Sequence, residues 1–215
     1  MQERNGKLWF EEKELDSIVE EAITICGHPR EANGIATDID SFVHAQFGIW
    51  PEPADLPQHI HGATKFYPDG KLEILISQKL VDNAGEHQGT LHRYRTTVAH
   101  EAGHALVHRH LYLQETLNLF GRESFSGSLC KEVQLNRGHN YDWKEYQANQ
   151  IMSRLLMPRR DLVRIVTETR TKGLLKNSEM ISAVSEAFIV SVEAVQYRLK
   201  ALGITHDEKQ ISMTG

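Results

Sequence analysis

The stretch TTVAHEAGHALVHRH, residues 96–110, carries His100, Glu101 and His104 in the order H-E-x-x-H. In an α-helix, residues i and i+4 stack on one face. A helix here therefore aims the imidazoles of His100 and His104 at one point, with Glu101 alongside. That is the requirement of a zinc hydrolase: two nitrogen ligands, and a carboxylate base that takes a proton from water made acidic by the metal. Ala99, Ala102, Gly103 and Ala105 are small and leave the sides of such a helix open to close neighbours. The competing reading is a helix whose histidines merely fill core or surface, and the residues around it have to decide.

Catalytic zinc takes three protein ligands and keeps a fourth position open. His108 continues the same face but lies roughly 12 Å along the axis from His100 at 1.5 Å per residue. Zn–N bonds are about 2 Å, so one helix cannot bring both to one ion, and His108 is expected behind the ligands or partly exposed. His110 follows His104 at the spacing of the third histidine in H-E-x-x-H-x-x-G-x-x-H. Val107 stands where that pattern turns on glycine, so the helix is expected to continue into His110 and the metzincin arrangement is rejected. A carboxylate on another helix remains. EYQAN, residues 145–149, offers Glu145 as third ligand and Asn149 as a group to hold a ligand histidine's ring. By spacing alone a solvated glutamate on an amphipathic helix is the better reading of Glu145. His139, Asp142 and Cys130 compete from a less regular stretch, and the Cys130 thiolate is a candidate cover for the open zinc position.

Outward from this segment, LDSIVEEAITIC (15–26) and TDIDSFVHAQFG (37–48) have helical periodicity. IWPEPADLP (49–57) has three prolines and reads as an extended connection. HGATKFYPDGKLEILIS (61–77) predicts a hairpin turning at Pro68-Asp69-Gly70. A polar loop (82–89) leads into a helix over about 91–111. Residues 121–140, rich in Gly and Ser, read as a loop or lid, inside an inter-motif stretch from Ala105 to Lys144 whose candidate roles are a lid, a substrate-docking element or a regulatory cover. WKEYQANQIMSRLLM (143–157) is helical and ends against Pro158. ISAVSEAFIVSVEAVQYRLKALGI (181–204) predicts two helices around Ile189-Val190-Ser191, with Ser191 as N-cap.

With 215 residues, 40% hydrophobic and 25% charged, the chain is long enough for one domain with a small appendage. A net charge of −5 argues against a protein that coats nucleic acid. The charge is uneven: residues 1–150 carry 14 Lys and Arg against 22 Asp and Glu, and residues 151–215 carry 10 against 7. Two cysteines exclude a disulfide framework and fit a reducing compartment. The start MQERNGKLWFEEKELD lacks an apolar core of a signal peptide, and no apolar run is long enough to span a bilayer. A cytoplasmic protein is expected.

RYRTTVAHEAGHALVH followed by EYQANQIMSRLLMP resembles the ImmA/IrrE family of zinc metallopeptidases, which carry R-x-R-x-T-x-A-H-E-x-G-H, then E-x-x-A-N/D and L-L-M-P. Arg93, Arg95, Thr97, Ala99, His100, Glu101, Gly103 and His104 stand in that register, then Glu145, Ala148, Asn149 and Leu155-Leu156-Met157-Pro158. The resemblance spans roughly residues 55–205. It implies His100, His104 and Glu145 as zinc ligands, Glu101 as general base, and a gluzincin-like use of H-E-x-x-H with a distant glutamate. It also implies an α+β fold with a zincin-like core, in which a small sheet packs on the active-site helix. The expected organisation is a metallopeptidase domain over 1–175 and a helical, helix-turn-helix-like segment over 176–215. The implied activity is limited, regulated cleavage of a specific intracellular protein such as a helix-turn-helix transcriptional repressor. The alternative is a DNA-binding or protein-recognition regulator whose zinc site is structural or latent, with Gln196, Arg198 and Lys200 on the last helix as candidate DNA contacts.

Overall fold

Local capping chemistry sets the first elements. After a two-stranded antiparallel hairpin of β1 (Gln2–Arg4) and β2 (Lys7–Trp9), helix α1 (Glu12–Ile25) starts on a capping box between Glu11 and Glu14. Helix α2 (Ile39–Phe47) starts on Asp38, whose carboxylate accepts from Ser41 N at 3.1 Å, and ends at Gly48 in the left-handed region, φ 73°. The computed structural model describes residues 2–4, 7–67, 69–111, 126–131, 143–171 and 177–204. For 2–4, 7–9 and 126–131 it describes the course of the backbone.

Next come β3 (Glu52–Ala54), β4 (Ile60–Phe66), β5 (Leu72–Ser77), α3 (Gln78–Asn83), α4 (Gln88–Val107) and β6 (Ser126–Lys131). Four helices follow: α5 (Trp143–Leu156), α6 (Arg159–Thr171), α7 (Asn177–Phe188) and α8 (Val192–Ala201). The expected hairpin is present. Tyr67 N donates to Lys71 O at 3.0 Å, Gly70 sits at φ 85°, and β4 pairs antiparallel with β5 from Gly62↔Ile76 to Phe66↔Leu72. The sheet order is β3-β5-β4-β6, with β3 parallel to β5 and β6 antiparallel to β4. Pro53 is accommodated because β3 lies at a sheet edge, where a missing N–H costs no ladder bond.

Helix α4 runs between this sheet and α5. Its central turns are buried on all sides: Val98, Ala99 and Ala102 are at 0% exposure. Ile74 and Ile76 from the sheet and Ile151 and Leu155 from α5 belong to the same core, each burial stabilising by about 1.5–3 kcal/mol. Gly103 sets the α4–α5 spacing. A Cβ there would meet the Ala148 carbonyl oxygen at 2.9 Å and Ala148 Cα at 3.2 Å. The fold is thus mixed α+β, with the H-E-x-x-H helix as its central element. Among the described residues no helix is long and apolar enough to cross a membrane.

Four sequence expectations need correction. Part of the 121–140 stretch is a strand, because β4 offers an edge to which Ser126–Lys131 pairs irrespective of its own weak pattern; residues 121–125 and 132–140 lie outside the described residues. Gln78–Asn83 is a short helix whose last two residues fall where the polar loop over 82–89 is expected. Helix α4 ends at Val107 with His108 as its C-cap, so His110 is not on that helix. Arg198 is not on a solvent face: it is 1% exposed and its guanidinium pairs with Asp16 at 2.9 Å.

The last two helices pack into the common core through Met180, Val184, Phe188, Val195 and Leu199. Ser191 caps α8 as expected, accepting from Ala194 N at 3.2 Å. The turn between them places Ile189 at φ 52°, and its carbonyl accepts from Arg95 Nε of α4 at 3.3 Å. Arg154 of α5, 1% exposed, forms an ion pair with Asp16, with Nε 2.9 Å from Oδ1, and also pairs with Glu12. One carboxylate on α1 thereby joins α5 and α8.

Candidate metal centre

Helix periodicity places His100, Glu101 and His104 together, and the close approach at Gly103 brings α5 within reach of them. His100 Nε2 lies 3.1 Å from Glu145 Oε2 and 3.1 Å from His104 Nε2; His104 Nε2 lies 3.3 Å from Glu145 Oε1. Among the described residues this is the one group of three His, Cys, Asp or Glu side chains placed to hold a metal ion. Donors about 2 Å from a common ion in tetrahedral disposition stand about 3.3 Å apart, which is the spacing found.

The protons of the two histidines support the same reading. His100 Nδ1 faces Asn149 Oδ1 at 3.0 Å. An amide oxygen only accepts, so the His100 proton sits on Nδ1 and its Nε2 presents a lone pair. With Glu145 as a carboxylate, electron pairs converge on one point, an arrangement that a cation stabilises. Burial pushes the Glu145 carboxyl up, but its contacts with the His100 and His104 imidazoles outweigh that and hold the group well below the usual carboxylate range.

Glu101 does not join this triangle. It is at 0% exposure, with Oε2 accepting from Thr64 Oγ1 of β4 at 2.6 Å and Oε1 without a hydrogen-bond partner among the described residues. Burial pushes its carboxyl up, opposed by the two histidines and Thr64. Room for this side chain comes from Gly62, where a Cβ would meet Glu101 Cγ and Oε1, each at 2.9 Å, and Thr97 Cγ2 at 2.6 Å. The arrangement leaves one buried carboxylate oxygen bonded and fixed, and one available to take a proton.

His108, at 0% exposure, lies behind His104 with the two Nδ1 atoms 3.0 Å apart, and its Nε2 is 3.1 Å from Gln147 Oε1. Burial and the neighbouring His104 pull the His108 pKa down to about 3, so it is a neutral imidazole. His110 is outside the group, as expected once the metzincin pattern is rejected. Cys130 is on β6, its backbone opposite Gly62; His139 and Asp142 lie outside the described residues. Gly62, Thr64 and Gln147 were not singled out from sequence. Their types carry no signal, and only the fold brings them to α4.

No curated protein gives a significant match to the chain. A family model described as the IrrE N-terminal-like domain, peptidase M78, matches residues 87–200, from the N-terminal turn of α4 to the last turn of α8. It therefore covers both metal-facing helices and the closing helix pair, and the chain belongs to this peptidase family.

Proposed function

We propose that the chain is a zinc-dependent metalloendopeptidase with a zincin-like core, using His100, His104 and Glu145 as ligands and Glu101 as general base. The observation that carries this is the three-donor triangle beside a buried carboxylate with one unbonded oxygen. When bound, zinc supplies Lewis acidity that acidifies water and polarises a peptide carbonyl. Glu101 Oε1 takes the proton of the attacking water and passes it to the departing amine nitrogen. Thr64 holds the other oxygen of that carboxylate, so the proton is exchanged at Oε1. Asn149 keeps the His100 ring oriented for ligation.

The substrate proposed is a specific protein, a helix-turn-helix transcriptional repressor, cut at limited positions. The support is the resemblance of RYRTTVAHEAGHALVH and EYQANQIMSRLLMP to regulated family members. Two cysteines in 215 residues fit the cytoplasm. The proposed division keeps 1–175 as the metallopeptidase domain and 176–215 as a C-terminal helical segment. The rival DNA-binding reading loses a cation, because Arg198 is buried on Asp16; Gln196 and Lys200 stay exposed, and Lys200 is the one exposed cation of the three.

Purified protein should carry about one zinc per chain. Glu101→Gln should retain the metal and lose cleavage of a co-expressed repressor substrate, whereas Glu145→Ala should lose metal. Wild-type zinc content in a His100→Ala, His104→Ala double variant, or full cleavage by Glu101→Gln, would refute the assignment.

A further inference from the structure

His104 can offer Nε2 to a cation only when its own proton sits on Nδ1. That nitrogen faces His108 Nδ1 at 3.0 Å. Two ring nitrogens so placed share one proton, so a donating His104 requires an accepting His108 Nδ1. The His108 proton then resides on Nε2, which has Gln147 Oε1 at 3.1 Å as acceptor. The reverse order fails at both ends. With a cation held by His100 and Glu145, a His104 proton on Nε2 would occupy the lone pair that the ion takes, and a His108 lone pair would face the lone pairs of the Gln147 carbonyl.

We propose that His108 and Gln147 are positioning residues that lock His104 in its Nδ1–H form and so keep Nε2 as a donor to the divalent cation. This rests on the metal reading above and extends it to two residues outside the ligand set. Burial gives the relay its force. His104 and His108 are at 0% exposure and Gln147 at 2%, so solvent is not at hand to replace a missing acceptor. The Trp143 ring stands at 88° to the His108 ring, centroids 5.6 Å apart, and confines it sideways. Position in the chain favours the device too. His108 is one turn beyond His104, at the C-cap of α4, and Gln147 is on α5 between Glu145 and Asn149. His100 has an amide directly on its Nδ1; His104 reaches its amide through an intervening imidazole.

The test uses the full chain, Zn²⁺ itself as probe, and two variants. His108→Phe keeps a planar ring and removes the acceptor; Gln147→Leu keeps the His108 ring and removes the last acceptor. Nitrogen-15 spectra of the imidazoles should show wild-type His104 protonated at Nδ1 and His108 at Nε2. In either variant His104 should populate the Nε2–H form, and the zinc Kd from chelator competition should rise about 10–100-fold. A purely structural role would lower Tm without moving the His104 tautomer. Should His108→Phe fail to fold, Gln147→Leu supplies the answer. A folded variant with wild-type zinc Kd and wild-type His104 tautomer would overturn the relay while leaving the metal reading intact. A wild-type chain that binds no zinc would overturn both.

Discussion

Replacing Gly103 with alanine tests whether close helix approach builds the site. A Cβ at 103 would stand 2.9 Å from the Ala148 carbonyl oxygen, 3.2 Å from Ala148 Cα and 3.3 Å from Ile151 Cβ. Two of these are backbone atoms that cannot swivel away, so α4 and α5 must separate by several tenths of an ångström. Overpacking of this kind costs about 1–3 kcal/mol. Alanine returns about 1 kcal/mol of helix propensity over glycine, leaving a net loss of about 0–2 kcal/mol. The larger effect falls on the metal. Glu145 is one turn before Ala148 on α5, and its oxygens sit 3.1–3.3 Å from the histidine nitrogens. Shifting α5 outward moves one ligand of three, and zinc affinity should fall about 10-fold, a loss typical of disturbed ligand orientation. Urea denaturation of the metal-free protein reads the first quantity and chelator competition the second. A Gly103→Ala protein about 1 kcal/mol more stable than wild type, with unchanged zinc Kd, would show that the helices tolerate the methyl group and would refute the reasoning.

Thr64→Val keeps the shape and removes the donor to Glu101 Oε2. Loss of a hydrogen bond to a charged group is worth about 1.5–3 kcal/mol, so cleavage should fall about 10–100-fold with zinc content unchanged; an activity equal to wild type would exclude Thr64 as a support. Asp16→Asn should cost about 3–5 kcal/mol at pH 7, because it leaves Arg154 and Arg198 buried without their shared carboxylate. Burial raises the Asp16 pKa, but Arg198, Arg154 and Arg159 outweigh it and hold the carboxyl below its usual range. Its contribution is therefore present above the unfolded value of about 3.9 and lost as pH falls through the folded one. Denaturation midpoints of wild type and variant should converge below about pH 4; a gap independent of pH would count against the ion pair.

What the sequence revealed follows the range of the forces involved. Helices α1, α2 and α5, the hairpin turn and the Ser191 cap are set by periodicity and by contacts within four residues, and all were legible. The strand at 126–131 was not, because its reason to be extended is the edge of β4, some 60 residues earlier. Arg198 was read as a surface cation since a long basic side chain ordinarily is one. Its partner Asp16 is 182 residues away, and only the fold joins them. In the site, His100 and His104 were fixed by helical spacing. Glu145 reads as a solvated glutamate by spacing and takes its role from the family resemblance. Thr64 and Gln147 are unremarkable residues until β4 and α5 flank α4.

Two glycines, Gly62 and Gly103, explain why this cluster can be both dense and polar. On the sheet side the missing Cβ belongs to the strand, which clears the volume that the Glu101 side chain fills. On the other side it belongs to α4 itself, which lets the backbone of α5 come close enough for Glu145 to meet the two histidines. Close approach on both sides excludes water, and Glu101, His104 and His108 end at 0% exposure. Buried polar groups without partners each cost about 1–3 kcal/mol, so such packing is tolerable only if the protein supplies the partners that water would have given. Thr64 does so for Glu101, Asn149 for His100, and His108 with Gln147 for His104. Glu101 Oε1 is the exception, an acceptor without a partner among the described residues. The charges of His100, His104 and Glu145 act on this carboxyl, and its unmet oxygen is the atom at which the proposed hydrolysis exchanges its proton.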